Sequence, residues 1–233
     1  MERFRIWLDN YWYHYKWHTL IALVFIITFA IGIGQIVVEK NDYDVFALYA
    51  GPEYLHREPH DAIVEDMKKA ANKVAGNDGE EKDINLQMLI YLTDDQITAQ
   101  KEAVEAKGEV FTFDFLENNN VFETFMKQLV SGENVIMFLD PYMYEVAEKN
   151  EAVYKIKDIM GRNVPGMTAS GMGINLYESG LVEKYPSFKA LPEDCIVCFK
   201  RVTHAMKLIG KSESEEKHKF QLEVARELFS GLE

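Results

Sequence analysis

Two cysteines three apart, Cys195-Ile-Val-Cys198, form the motif most suggestive of chemistry. A redox pair of that spacing works best at a helix N-terminus, where the helix dipole lowers a thiol pKa. Here β-branched Ile196 and Val197 predict a strand, and residues three apart on a strand point to opposite faces. A disulfide between Cys195 and Cys198 would then need local distortion. No second cysteine pair and no following histidine completes a zinc or haem pattern. Two buried, small, apolar side chains are the favoured reading, an oxidised pair the next, and redox or metal work the last.

His56 and His60 are four apart, a spacing that lets two imidazoles on one helix share a metal. Pro59 lies between them, so the segment reads instead as the approach to a helix, with both histidines as loop or cap residues. Asn77–Asp83 sets acidic oxygens around Gly79 but lacks the alternating ligands and final Glu of a calcium loop. A solvated turn explains it. Asp140 ends one apolar run and begins a helix, where α/β sheets place ligand-binding groups. Its capping role already accounts for it. Met167-Thr-Ala-Ser170-Gly171 fails the spacing of a nucleophile elbow, and Gly171-Met-Gly173 lacks the third glycine of a dinucleotide loop. No metal site, cofactor or catalytic set emerges.

The elements that would carry these residues alternate. Asp44–Ala50 reads as a buried strand closed by Gly51-Pro52. Ile63, Met67, Ala70, Ala71 and Val74 recur at helical spacing, with Gly76 closing that helix. Ile84–Leu92 is a second strand. Thr93-Asp-Asp-Gln96 is a capping box that opens a helix ending at Gly108. Phe111, Phe113 and Phe115 alternate with Thr112 and Asp114, the period of a strand with one buried face. Phe122, Phe125, Met126 and Leu129 then line a helix ended by Gly132. Val135–Leu139 is a short strand, and Asp140-Pro141 starts the helix after it. Arg162–Gly173 reads as a long loop, Ile174–Leu176 and Cys195–Phe199 as strands, and Glu215–Phe229 as a closing amphipathic helix. Such alternation predicts a mostly parallel sheet with helices on both faces.

The stretch Val121–Ala147 resembles a segment of type II periplasmic solute-binding proteins, in which a helix, a Gly-containing turn, a short strand and an Asp-started helix follow in order. The opening Asp44–Ala50, helix, Ile84–Leu92 is similar to how that class begins. The aromatic entry Tyr11–His18 also resembles small membrane-anchored proteins of Gram-positive anaerobes. The resemblance implies a single binding-protein lobe, because the domain is too short for two. It carries over no ligand residues.

Thr19–Val38 is a run of twenty uncharged residues, which as a helix at about 1.5 Å per residue matches the ~30 Å core of a bilayer. Trp7, Tyr11, Trp12, Tyr13, Tyr15 and Trp17 precede it as an aromatic belt would. Arg3, Arg5 and Lys16 lie before the run, against Lys40 and Arg57 after it, so the expected orientation is N-terminus cytoplasmic and C-terminal domain outside. Its length and its exit sequence favour an uncleaved signal anchor over a cleaved signal peptide. Ala30 and Gly34 form a small-xxx-small pair through which two such helices would self-associate.

The whole chain carries 25 basic and 38 acidic side chains. Three of those bases and two of the acids precede Glu39, which leaves a net charge of −14 on the rest. Phosphate binding needs clustered Lys and Arg, so a surface of that net charge argues against nucleic acid as a partner. The expected organisation is a cytoplasmic segment 1–18, a transmembrane helix 19–38, a linker 39–43 and an extracytoplasmic α/β domain 44–233. The function that follows is a membrane-anchored, non-catalytic binding or accessory domain, working beside a membrane partner such as a transporter. Two alternatives stand beside it: an extracytoplasmic hydrolase or thiol-redox enzyme using Cys195, Cys198 and Asp140, and a structural envelope protein.

Overall fold

In a computed structural model, which describes residues 2–38, 43–76, 80–131, 133–202 and 212–232, the chain divides into two compact units, 1–42 and 43–233. The described residues of the first form one continuous helix, α1 (Glu2–Val38). Rings three and four apart stack along it, from Phe4 to Trp7 to Tyr11 to Tyr15, with centroids 5.4–6.0 Å apart.

α1 corrects the membrane reading. Among the described residues, no helix is long and apolar enough to cross a membrane. The helix starts at Glu2, not Thr19, so Arg3, Arg5 and Lys16 lie on the same rod as the apolar run. The transmembrane helix at 19–38, the signal anchor, the single-pass placement and the cytoplasmic and extracellular assignments therefore fall. The side chains of Ala30 and Gly34, the linker 39–42, Gly132 and residues 77–79 of the charged turn lie outside the described residues.

The second unit is a three-layer α/β/α domain. Its strands are β1 (Val45–Gly51), β2 (Ile84–Ile90), β3 (Ile136–Leu139), β4 (Ile174–Asn175) and β5 (Ile196–Phe199), in sheet order β2-β1-β3-β5-β4. β1 pairs in parallel with β2 and β3, whereas β5 runs antiparallel to both β3 and β4. The sheet is thus mixed, and the mostly parallel expectation is corrected. A strand–helix–strand crossover returns a parallel strand, but β5 is entered from the wrong edge for that. Cys195 leads into it beside Leu139, so β5 must run back against β3.

Strand alternation splits the core in two. Val45, Ala47, Tyr49, Ile136, Phe138, Val197 and Phe199 face α2 (Arg57–Ala75) and α8 (Ser212–Leu228). Leu48, Ala50, Met137, Leu139, Ile196 and Cys198 face α4 (Phe115–Ser131) and α5 (Pro141–Lys149). Helix α3 (Asp94–Glu105) precedes α4, and short α6 (Ile156–Met160) and α7 (Leu181–Lys184) follow α5. Phe111 and Phe113 form no strand, and Phe115 opens α4 instead. Asp114 is the reason: its Oδ1 accepts from the backbone N–H groups of Leu116 and Glu117 at 3.0 Å, starting the helix there.

Candidate functional site

The three parallel strands end at one edge of the sheet. In the order β2-β1-β3 the chain winds one way from β1 to β2 and the other way to β3, and open α/β sheets bind ligands in the crevice at that reversal. Gly51 lies in the middle of the edge. Its carbonyl accepts from Tyr91 N–H at 3.0 Å, and the neighbouring Ala50 carbonyl accepts from Asp140 N–H at 2.9 Å. A side chain at Gly51 would meet the Tyr49 hydroxyl at 2.8 Å, so this floor has to be bare.

Each wall is the first turn of a helix. Thr93 caps α3, accepting from Gln96 N–H at 3.3 Å, while Gln96 Oε1 accepts from Thr93 N–H at 2.8 Å. Asp140 caps α5, accepting from Met143 N–H at 2.7 Å. Between the two walls opens a cleft of about 560 Å³, walled by Tyr91, Thr93, Pro141 and Tyr142. Asp94, Asp95 and Glu145 complete its lining.

Tyr91 and Tyr142 stack on each other in the cleft lining, with centroids 5.7 Å apart and planes 14° from parallel. Phe122 leans on Tyr91 at 5.5 Å. Burial and the neighbouring Tyr142 push the Tyr91 hydroxyl up to about 12, so it stays neutral. Asp94 and Asp95 are exposed. Glu145 pairs with Lys149 at 2.5 Å, which leaves the two α3 carboxylates as the main source of negative charge. Helix N-termini attract anions, but here both are already met, by Asp94 and Asp95 on α3 and by Asp140 on α5. The cleft therefore presents aromatic rings and net negative charge, the chemistry that holds a cation.

Asp140, singled out from the sequence, lies beneath this cleft and is 3% exposed. Burial is the main cause holding its carboxyl above the usual range, with Asp194 adding to it. His60 is elsewhere, its Nε2 3.1 Å from the Leu86 carbonyl oxygen and its Nδ1 3.1 Å from Asp61. His56 is exposed at the start of α2 and packs edge-on to Tyr54. Among the described residues no group of three or more His, Cys, Asp and Glu side chains is placed to hold a metal. Cys195 and Cys198 are free thiols, fully buried, one in each half of the core. Burial pushes both thiols up, opposite to what a reactive thiolate needs.

Tyr91, Asp94, Asp95, Tyr142 and Glu145 carried no motif of their own. The usable signal was positional: two polar helix starts, Thr93-Asp-Asp-Gln96 and Asp140-Pro141, each directly after an apolar strand. Searches of protein families, of characterised proteins and of solved structures gave no match to this chain.

Proposed function

We propose that the α/β domain is a non-catalytic binding module whose cleft, at the carboxyl ends of β2 and β3, takes an organic cation such as a polyamine. The observation that carries this reading is the stacked Tyr91–Tyr142 pair set against Asp94 and Asp95 in a cleft at the strand-order reversal. Aromatic faces attract ammonium groups by about 0.5–2 kcal/mol each, and nearby carboxylates add charge attraction. The chain-wide excess of acids would draw cations toward the domain and discourage anions. A thiol-redox reading finds no support in two buried thiols that belong to opposite halves of the core.

Calorimetric titration of the full chain tests this, with spermidine as the cationic probe and AMP as an anionic one. Saturable spermidine heat, weakened several-fold by Asp94→Asn and by added salt, is the expected result. Binding of AMP with no response to spermidine would overturn the proposal.

A further inference from the structure

The segment between α3 and α4 is built like a strand and paired with nothing among the described residues. Gly108, at φ +77°, ends the turn after α3, and Asp114 starts α4. Between them the Phe111 and Phe113 rings lie 6.1 Å apart and 6° from parallel, the placement that an extended backbone gives residues i and i+2. Phe115 meets Phe113 edge-on at 5.0 Å. None of the three belongs to either half of the core. Val110, Phe115 and Leu116 beside them are 88%, 60% and 72% exposed. Among the described residues, no backbone hydrogen bond engages Val110, Phe111, Thr112 or Phe113. An extended ribbon with open hydrogen-bonding groups and apolar side chains is a template for another strand.

We infer that this ribbon pairs antiparallel with the same ribbon of a second copy of this chain, about a two-fold axis through Thr112. The sequence is self-complementary in that register. Phe111 of each copy falls opposite Phe113 of the other, giving two cross-strand aromatic pairs. Asp114 falls opposite Val110 and Glu109 opposite Phe115, so no carboxylate directly faces another. Such an isologous contact closes on itself and stops at a dimer. Covering Val110, Phe115 and Leu116, with the parts of half-buried Phe111 and Phe113 still open, in both copies would bury on the order of 1,000 Å², the low end for a specific interface. The dimer is accordingly weak and reversible. An edge of this kind in the middle of the chain also has a stop built in, because α3 and α4 bound it and prevent a long ribbon from propagating into a fibre.

The test is a disulfide across the axis in the full chain. Residues facing each other in an antiparallel pair have Cα atoms about 4.5–5.5 Å apart, within disulfide reach. The native Cys195 and Cys198 are buried and do not compete. Thr112→Cys should form a covalent dimer under mild oxidation, whereas Glu102→Cys, an exposed position on α3, should not. Adding Phe113→Asp to Thr112→Cys should cut the crosslinked fraction several-fold, because it sets a carboxylate against Phe111 of the other copy. Equal crosslinking of the Thr112→Cys and Glu102→Cys proteins would overturn the inference. So would a covalent Thr112→Cys dimer indifferent to Phe113→Asp, since any association through another part of the chain would survive that change.

Discussion

Cys195 and Cys198 stand three residues apart along one stretch of chain, at the entry to β5 and within it, yet each belongs to a different half of the core. Neither meets solvent, and burial raises both thiol pKa values. In native protein at neutral pH a thiol reagent such as DTNB should therefore label neither, and both should react once the chain is unfolded in guanidinium. Labelling of even one thiol in the native state, at the rate of a small free thiol, would contradict this placement.

Lys184 holds the end of α8. Its Nζ donates to the carbonyls of Glu227 and Leu228 at 3.0 Å and of Ser230 at 2.8 Å, where a helix leaves its last carbonyls unsatisfied. Arg162 donates to the Phe229 and Leu232 carbonyls beside it. Lys184→Met keeps the aliphatic stem and removes the donors. Hydrogen bonds to charged groups contribute about 1.5–3 kcal/mol, so urea unfolding should show a loss of about 2 kcal/mol. An unchanged midpoint would mean that the cap is redundant with Arg162.

His218 on α8 is 7% exposed, and its ring lies 6.1 Å from that of Tyr154. Among the described residues, neither of its ring nitrogens has a hydrogen-bond partner. Lys200 lies on the facing strand end, donating to the Gln128 carbonyl at 2.6 Å, and Glu133 and Arg201 flank the same region. Burial, with Lys200 next, holds the His218 pKa down at about 4. The sign follows from linkage. Between about pH 6.5 and pH 4 the unfolded chain takes up a proton that the folded one refuses, so stability falls as pH drops through that window. His218→Phe should flatten that part of the decline by on the order of 3 kcal/mol. Parallel pH profiles for the two proteins would refute the assignment.

Gly173 is bare because of what surrounds it. A Cβ there would meet Ile196 Cγ2 at 2.6 Å and the Tyr144 ring at 2.7 Å. That ring's hydroxyl is 2.9 Å from Ser170 Oγ and 3.1 Å from Thr168 Oγ1, pinning the loop before β4 onto α5. Gly173→Ala should cost about 1–3 kcal/mol by overpacking. Thermal unfolding at a temperature matching wild type would show that the loop moves aside freely.

The extent to which the chain announced its fold depends on the element. Asp44–Ala50, Ile84–Leu92 and Val135–Leu139 are apolar runs bounded by Gly, Pro or capping residues, and local signals of that kind survive folding. The direction of β5 was not legible, because it is set by where Cys195 enters the sheet, a property of the whole path from Asp140 onward. The period-2 pattern of Phe111, Phe113 and Phe115 promised a strand in the sheet, but alternation specifies a face and not a partner. Asp140 was visible because it combines a strand end with a helix start. Tyr91 and Tyr142 were not, since about fifty residues separate them and only the parallel pairing through β1 brings their rings together. The run at Thr19–Val38 misled by composition alone, without regard to the longer helix that contains it.

A cation held in the cleft has to be told apart from cations gathered loosely over an acidic chain. Backbone amide shifts followed by NMR during spermidine titration separate the two. Binding in the cleft, against the aromatic wall and the α3 carboxylates, predicts saturable shifts concentrated at Tyr91, Thr93, Asp94, Asp95, Tyr142 and Glu145, and lost in Tyr142→Ala. Small, unsaturated shifts spread over the acidic surface, with the cleft no different from the rest, would contradict it.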